Sequence, residues 1–84
     1  MVELLRLREV LAKRKSTSST LYTAIREGLW TEPVKLSSRV SVWPAHEVDL
    51  ILRARIAGQS KEEVQALVRE LVEQRKAATE RAAA

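Results

Sequence analysis

Near the start of the chain the apolar positions recur at helical spacing, with Leu4, Leu7 and Leu11 on one stripe and Val10 flanking it. This predicts a short amphipathic helix over about residues 6–13, ended by the polar run Lys13-Arg14-Lys15. Ser16-Thr17-Ser18-Ser19-Thr20 follows, rich in side-chain oxygens that accept hydrogen bonds from the free N–H groups of a helix start. A second helix is therefore expected from near Thr17, with Leu21, Ala24 and Ile25 buried and Gly28 supplying the left-handed residue that closes it. Two short helices joined by a tight polar connection form a helix-turn-helix.

Beyond Gly28 the period changes. Val34-Lys35-Leu36 and Val40-Ser41-Val42 alternate apolar with polar around Ser37-Ser38-Arg39, which predicts a β-hairpin, or wing. The turn lacks Asn-Gly or Gly-Gly, so the sequence leaves open its geometry and the face that Val40 and Val42 take. Pro44 suits the first position of a further helix, whose apolar face is Val48, Ile51, Leu52 and Ile56, and Gly58 stops it. Ser60 and Glu63 form a capping box before a last helix striped by Val64, Leu67, Val68, Leu71 and Val72. The expected architecture is mainly α with a small β-hairpin: a winged helix-turn-helix over residues 1–58, a C-terminal helix over 59–76 and a frayed tail over 77–84.

Length and composition narrow the function classes. A chain of 84 residues is one domain by the usual expectation and buries roughly 60–65% of its unfolded surface. Without cysteine there is no disulfide framework, thiolate metal site or thiol nucleophile. His46 is the only histidine, so a metal site would rest on carboxylates alone, and it is read as a surface residue. No nucleophile, base and stabiliser set or glycine-rich loop is legible, and the expectation is a non-enzyme without cofactor. Apolar runs are short and interrupted by Arg6, Arg8 and Glu9, which fits neither a signal peptide nor a membrane span and suggests a cytoplasmic protein.

Charge adds a direction. The net charge is +4, and the excess of Lys and Arg over Asp and Glu falls entirely in residues 1–43. A basic half beside a neutral half suits a polyanion-binding face, although many basic domains bind no polyanion.

The order of features resembles the AlpA family of prophage regulators, relatives of excisionases and of the DNA-binding part of MerR proteins. The resemblance is carried by Leu7-Arg8-Glu9-Val10, Ser19-Thr20-Leu21-Tyr22, Ile25-Arg26-Glu27-Gly28, Pro33-Val34-Lys35-Leu36, Arg39, Trp43 and Glu47-Val48, over roughly residues 4 to 57. It implies a winged helix-turn-helix that binds double-stranded DNA of a mobile element, as a transcriptional regulator or as an excisionase at attachment sites. The sequence departs from the pattern at Lys15 and Ser16, where the family usually has glycine and an aliphatic residue, and at Ser18, where arginine is frequent. Ile51 replaces a frequent tryptophan and Trp30 a usual phenylalanine.

On this reading Ser18, Ser19, Thr20, Tyr22, Thr23 and Arg26 contact groove and phosphate, Thr17 being a cap, while the alternative is a solvated helix face. Lys35, Ser38 and Arg39 serve as wing contacts, with Arg39 directed at a minor groove or phosphate. Lys13, Arg14 and Lys15 are steering charges or simply solvated. Trp30 and Trp43 are expected in the core. Val64, Leu67, Val68, Leu71 and Val72 are assigned to a homodimer contact, with cover for the domain's own core as the competing role. A protein-interaction module acting through this last helix is the alternative of another class.

Overall fold

Leu5, rather than a helix stripe, is what the first apolar residues provide. The computed structural model describes residues 2–83, with side chains as far as Ala78. It opens on strand β1 (Leu4–Arg6), in which Leu5 is buried between two exposed neighbours. β1 pairs antiparallel with β3 (Ser41–Pro44), Leu5 facing Trp43 and Arg6 facing Val42. β2 (Val34–Lys35) pairs with the other edge of β3, Val34 opposite Val42 and Lys35 opposite Ser41. The expected hairpin is therefore the outer part of a three-stranded sheet in the order β1-β3-β2. Leu4 belongs to a strand and not to the first helix, because its partner lies far along the chain, outside any local periodicity.

The first helix, α1 (Leu7–Arg14), starts where the Arg6 N–H donates to Glu9 Oε1 at 3.0 Å. Val10 is buried, and Leu7 and Leu11 pack partly against the core. Lys15 closes α1 in the left-handed region, at φ 57°, with Ser16 N–H donating back to the Leu11 carbonyl at 3.2 Å. Helix α2 (Ser18–Arg26) is capped as its sequence predicts, Thr17 Oγ1 accepting from the Thr20 N–H at 3.3 Å. Gly28 at φ +76° ends the segment, and the Leu29 N–H returns to the Ala24 carbonyl.

Both tryptophans are core residues. Trp43 Nε1 donates to the Thr31 carbonyl at 2.9 Å. Trp30 is buried without a hydrogen-bond partner for Nε1, and the guanidinium of Arg14 lies 4.6 Å from its ring centroid.

Pro44 is the residue that caps α3 (Ala45–Ile56) rather than its first helical position. Glu47, Val48, Ile51 and Ala54 form the buried face, while Ile56, expected on it, is 85% exposed. Helical geometry explains this: the face advances by three or four residues per turn, and Ala54 rather than Ile56 continues it. Gly58, at φ +77°, turns the chain, and the Ser60–Glu63 capping box forms in both directions at 2.9 and 3.2 Å.

The last helix, α4 (Lys61–Ala83), continues through most of the stretch expected to fray; Ala84 lies outside the described residues. Val64, Val68 and Leu71 are buried in the chain's own core, with Leu67 packed partly against it and Val72 half-buried. The stripe assigned to a homodimer is thus largely covered within one chain, because α4 packs along α3 and closes the core there. Gln65 Nε2 donates to the Glu27 carbonyl at 2.8 Å, so α4 also satisfies the end of α2. No helix among the described residues is long and apolar enough to cross a membrane.

Candidate nucleic-acid interface

Burying Leu21 and Ala24 and half-burying Ile25 turns the other side of α2 outward. Ser18, Ser19, Tyr22, Thr23 and Arg26 are all exposed there, with Ser19, Tyr22 and Arg26 stacked along one face by their three- and four-residue spacing. Thr23 Oγ1 accepts from Arg26 Nη2 at 3.1 Å, which fixes the guanidinium over the last turn. Two of the hydroxyls are engaged locally: Thr17 Oγ1 lies 3.0 Å from Thr20 Oγ1 and 3.3 Å from Ser19 Oγ. Thr20 therefore belongs more to the cap than to the free face.

The wing is closed tightly at its tip. Leu36 and Ser37 N–H groups point to the Val40 carbonyl, and the Arg39 N–H donates to Ser37 Oγ at 3.4 Å. This arrangement leaves Ser38 and Arg39 exposed. Lys35 is exposed on β2, and neither it nor Ser38 lines the cleft that Tyr22 of α2 forms with the wing.

Arg39 does. Tyr22 of α2 and Arg39, Val40 and Ser41 of the wing line one cleft together with Arg6, Leu7 and Arg8 from the β1–α1 junction. The sheet causes this convergence, since pairing β1 with β3 carries the start of α1 to the base of the wing. Arg6 and Arg8 were not legible as site residues. The only signal in the sequence is that two arginines flank the start of the first helix, and that acquires meaning once β1 is known to be a strand.

The steering charges separate. Arg14 is half-buried over Trp30 and donates to Ser16 Oγ at 2.8 Å. Burial, and secondarily the nearby charge of Arg55, holds its guanidinium below its usual pKa. Lys13 lines a different groove with Glu3 and Asp49, against α3. Only Lys15, at the turn between α1 and α2, stays exposed beside the start of α2.

Ion pairing is as uneven as the sequence. Among the described residues, the ion pairs join Arg53 to Asp49, Lys61 to Glu27, Arg75 to Glu47 and Lys76 to Glu73. Every cation in them belongs to α3 or α4. Among the described residues Arg6, Arg8, Lys15, Arg26, Lys35 and Arg39 form no ion pair with a carboxylate, and neither do Arg55 of α3 and Arg69 of α4. His46 is exposed, and no cluster of metal-ligating side chains occurs among the described residues.

Comparison with curated proteins and with solved structures returned no match. A family model does match, that of the prophage CP4-57 regulatory protein (AlpA), over residues 3–56. This span takes in β1, both helices of the helix-turn-helix, the wing and α3, and with well over half of the sequence matched, the chain belongs to the AlpA family of prophage regulatory proteins.

Proposed function

We propose that this chain binds double-stranded DNA as a transcriptional regulator of a prophage or related mobile element. The exposed face of α2, from Ser18 to Arg26, enters the major groove, and the wing tip with Arg39 lies against the adjoining backbone or minor groove. The observation that carries this reading is the partition of charge: among the described residues the cations around α2 and the wing form no ion pair, while every ion pair there holds a cation of α3 or α4. Unpaired cations around an exposed helix make a face suited to a phosphate backbone. Family membership points the same way. A partner-docking role for α4 has less support, because Val64, Val68 and Leu71 are already buried.

The test is a fluorescence-anisotropy titration of the full chain on duplex DNA at increasing KCl. About 3–5 phosphate contacts give a log–log slope of roughly −3 to −4.5. A flat slope, or no binding at low salt, overturns the proposal. Promoter and attachment-site fragments compared in the same assay separate a transcriptional regulator from an excisionase.

A further inference from the structure

The cleft between the β1–α1 junction and the wing contains more cationic chemistry than a structural corner requires. Arg6 and Arg8 come from the β1–α1 junction, Arg39 from the wing tip, Ser41 from β3 and Tyr22 from α2. Each guanidinium carries five N–H donors and no acceptor, and the phenol and hydroxyl add a donor each. No Asp or Glu lines the cleft. The nearest acid in sequence, Glu9, accepts from the main-chain N–H of Arg6 and so caps α1 without neutralising the Arg6 side chain. Leu7 and Val40 supply apolar wall between the charges. Such a cleft suits a group with several acceptor oxygens, a full negative charge and apolar flanks.

We infer that this cleft seats a phosphodiester of the DNA backbone, with Arg6 and Arg8 gripping it together with Arg39. The inference rests on the duplex-binding reading above and gives it a second anchor. With α2 in the major groove, Tyr22 lies at the boundary between the base-reading face and the cleft, so the phosphate held there borders the groove that α2 occupies. The contact is made by charge and bidentate donors alone and carries no sequence information. Its role is to fix the register of α2 on the duplex.

The experiment uses the full chain and its Arg6→Gln, Arg8→Gln and Arg8→Lys variants, with Arg53→Gln on α3 as the control. Each binds a preferred and a random duplex across a KCl series. Loss of either arginine is expected to flatten the log–log slope by about 0.9 and to lower affinity by the same factor on both duplexes. Arg8→Lys keeps the slope, and Arg53→Gln changes nothing. Ethylation interference on the preferred duplex should show one phosphate whose modification blocks the wild type and not Arg8→Gln. Circular dichroism checks folding; if Arg6→Gln fails to fold, Arg8→Gln carries the test. A wild type with a steep slope and glutamine variants that match it would overturn this inference and leave DNA binding intact. A wild type that binds inorganic phosphate through Arg6 and Arg8, seen as shifted Nε–H resonances, but binds no duplex would overturn both.

Discussion

Arg75 on α4 grips the buried carboxylate of Glu47 at the start of α3, with Nε 2.7 Å from Oε2 and Nη2 2.5 Å from Oε1. The side chain of Glu47 is 1% exposed and that of Arg75 21%. Taking a carboxylate out of water costs several kcal/mol unless it is paired in good geometry, and removing one partner leaves that cost uncompensated. Arg75→Ala should therefore destabilise the chain by about 3 kcal/mol, read as a lower urea midpoint. The double variant Glu47→Gln, Arg75→Met should recover a substantial part of the loss. Equal losses in both would mean that the unpaired charge of Glu47 is not the source of the cost.

The two core tryptophans should respond differently to loss of their indole N–H. Trp43 Nε1 is bonded to the Thr31 carbonyl, so Trp43→Phe loses that bond as well as packing. Trp30 Nε1 has no partner, so Trp30→Phe removes a buried donor that nothing satisfies. Trp43→Phe is expected to cost about 1–2 kcal/mol more than Trp30→Phe. Paired thermal melts of the two variants measure the difference, and reversed order would refute it.

Lys15 holds a left-handed conformation that costs a residue with a Cβ about 1–2 kcal/mol, against about 0.4–1 kcal/mol for the added freedom of glycine in the unfolded chain. Lys15→Gly is expected to raise stability by roughly 0.5–1 kcal/mol. If Lys15 also steers DNA, the same variant should bind duplex more weakly at low salt. A fall in the urea midpoint would contradict the backbone argument.

Acid should weaken the start of α4. The Ser60 N–H, and secondarily its hydroxyl, hold the Glu63 carboxyl below its ordinary pKa. A depressed folded value means that the ionised form is favoured by folding, so the stabilisation is complete above the ordinary carboxylate value and is lost as pH falls through the folded one. NMR titration should place the Glu63 midpoint below that of an unstructured peptide, and Glu63→Gln should abolish this part of the pH dependence of stability. A peptide-like midpoint would refute the cap's electrostatic role.

Arg26→Ala and Tyr22→Phe are expected to weaken a preferred duplex more than a random one, by about 1–3 kcal/mol for a lost base contact. Thr23→Val should reproduce part of the Arg26 effect by releasing the guanidinium. Competition binding against random duplex measures it, and uniform losses would move the recognition face off α2.

Features written in adjacent residues were the legible ones. Thr17 caps α2, Gly28 ends it and Ser60 with Glu63 opens α4, because a cap is a bond between near neighbours. β1 is not legible in the sequence because a three-residue strand has no periodicity of its own and its partner β3 lies across the whole helix-turn-helix. The cationic cleft depends on that pairing and was hidden with it. The α4 stripe was visible as apolar, but a stripe records that a face is covered and not which chain covers it. Val64, Val68 and Leu71 turned out to be covered by their own.

The pairing of Leu5 with Trp43 also sets an order of events during synthesis. The ribosome releases the amino terminus first, yet β1 has no partner until the central strand of the sheet has emerged. Until then α1 and α2 can form locally, but the wing has no base and the arginines at the β1–α1 junction have no neighbouring strand. A nascent chain halted before Trp43 would present a helix pair without its sheet. The sheet is thus completed by a strand closing on residues made well before it.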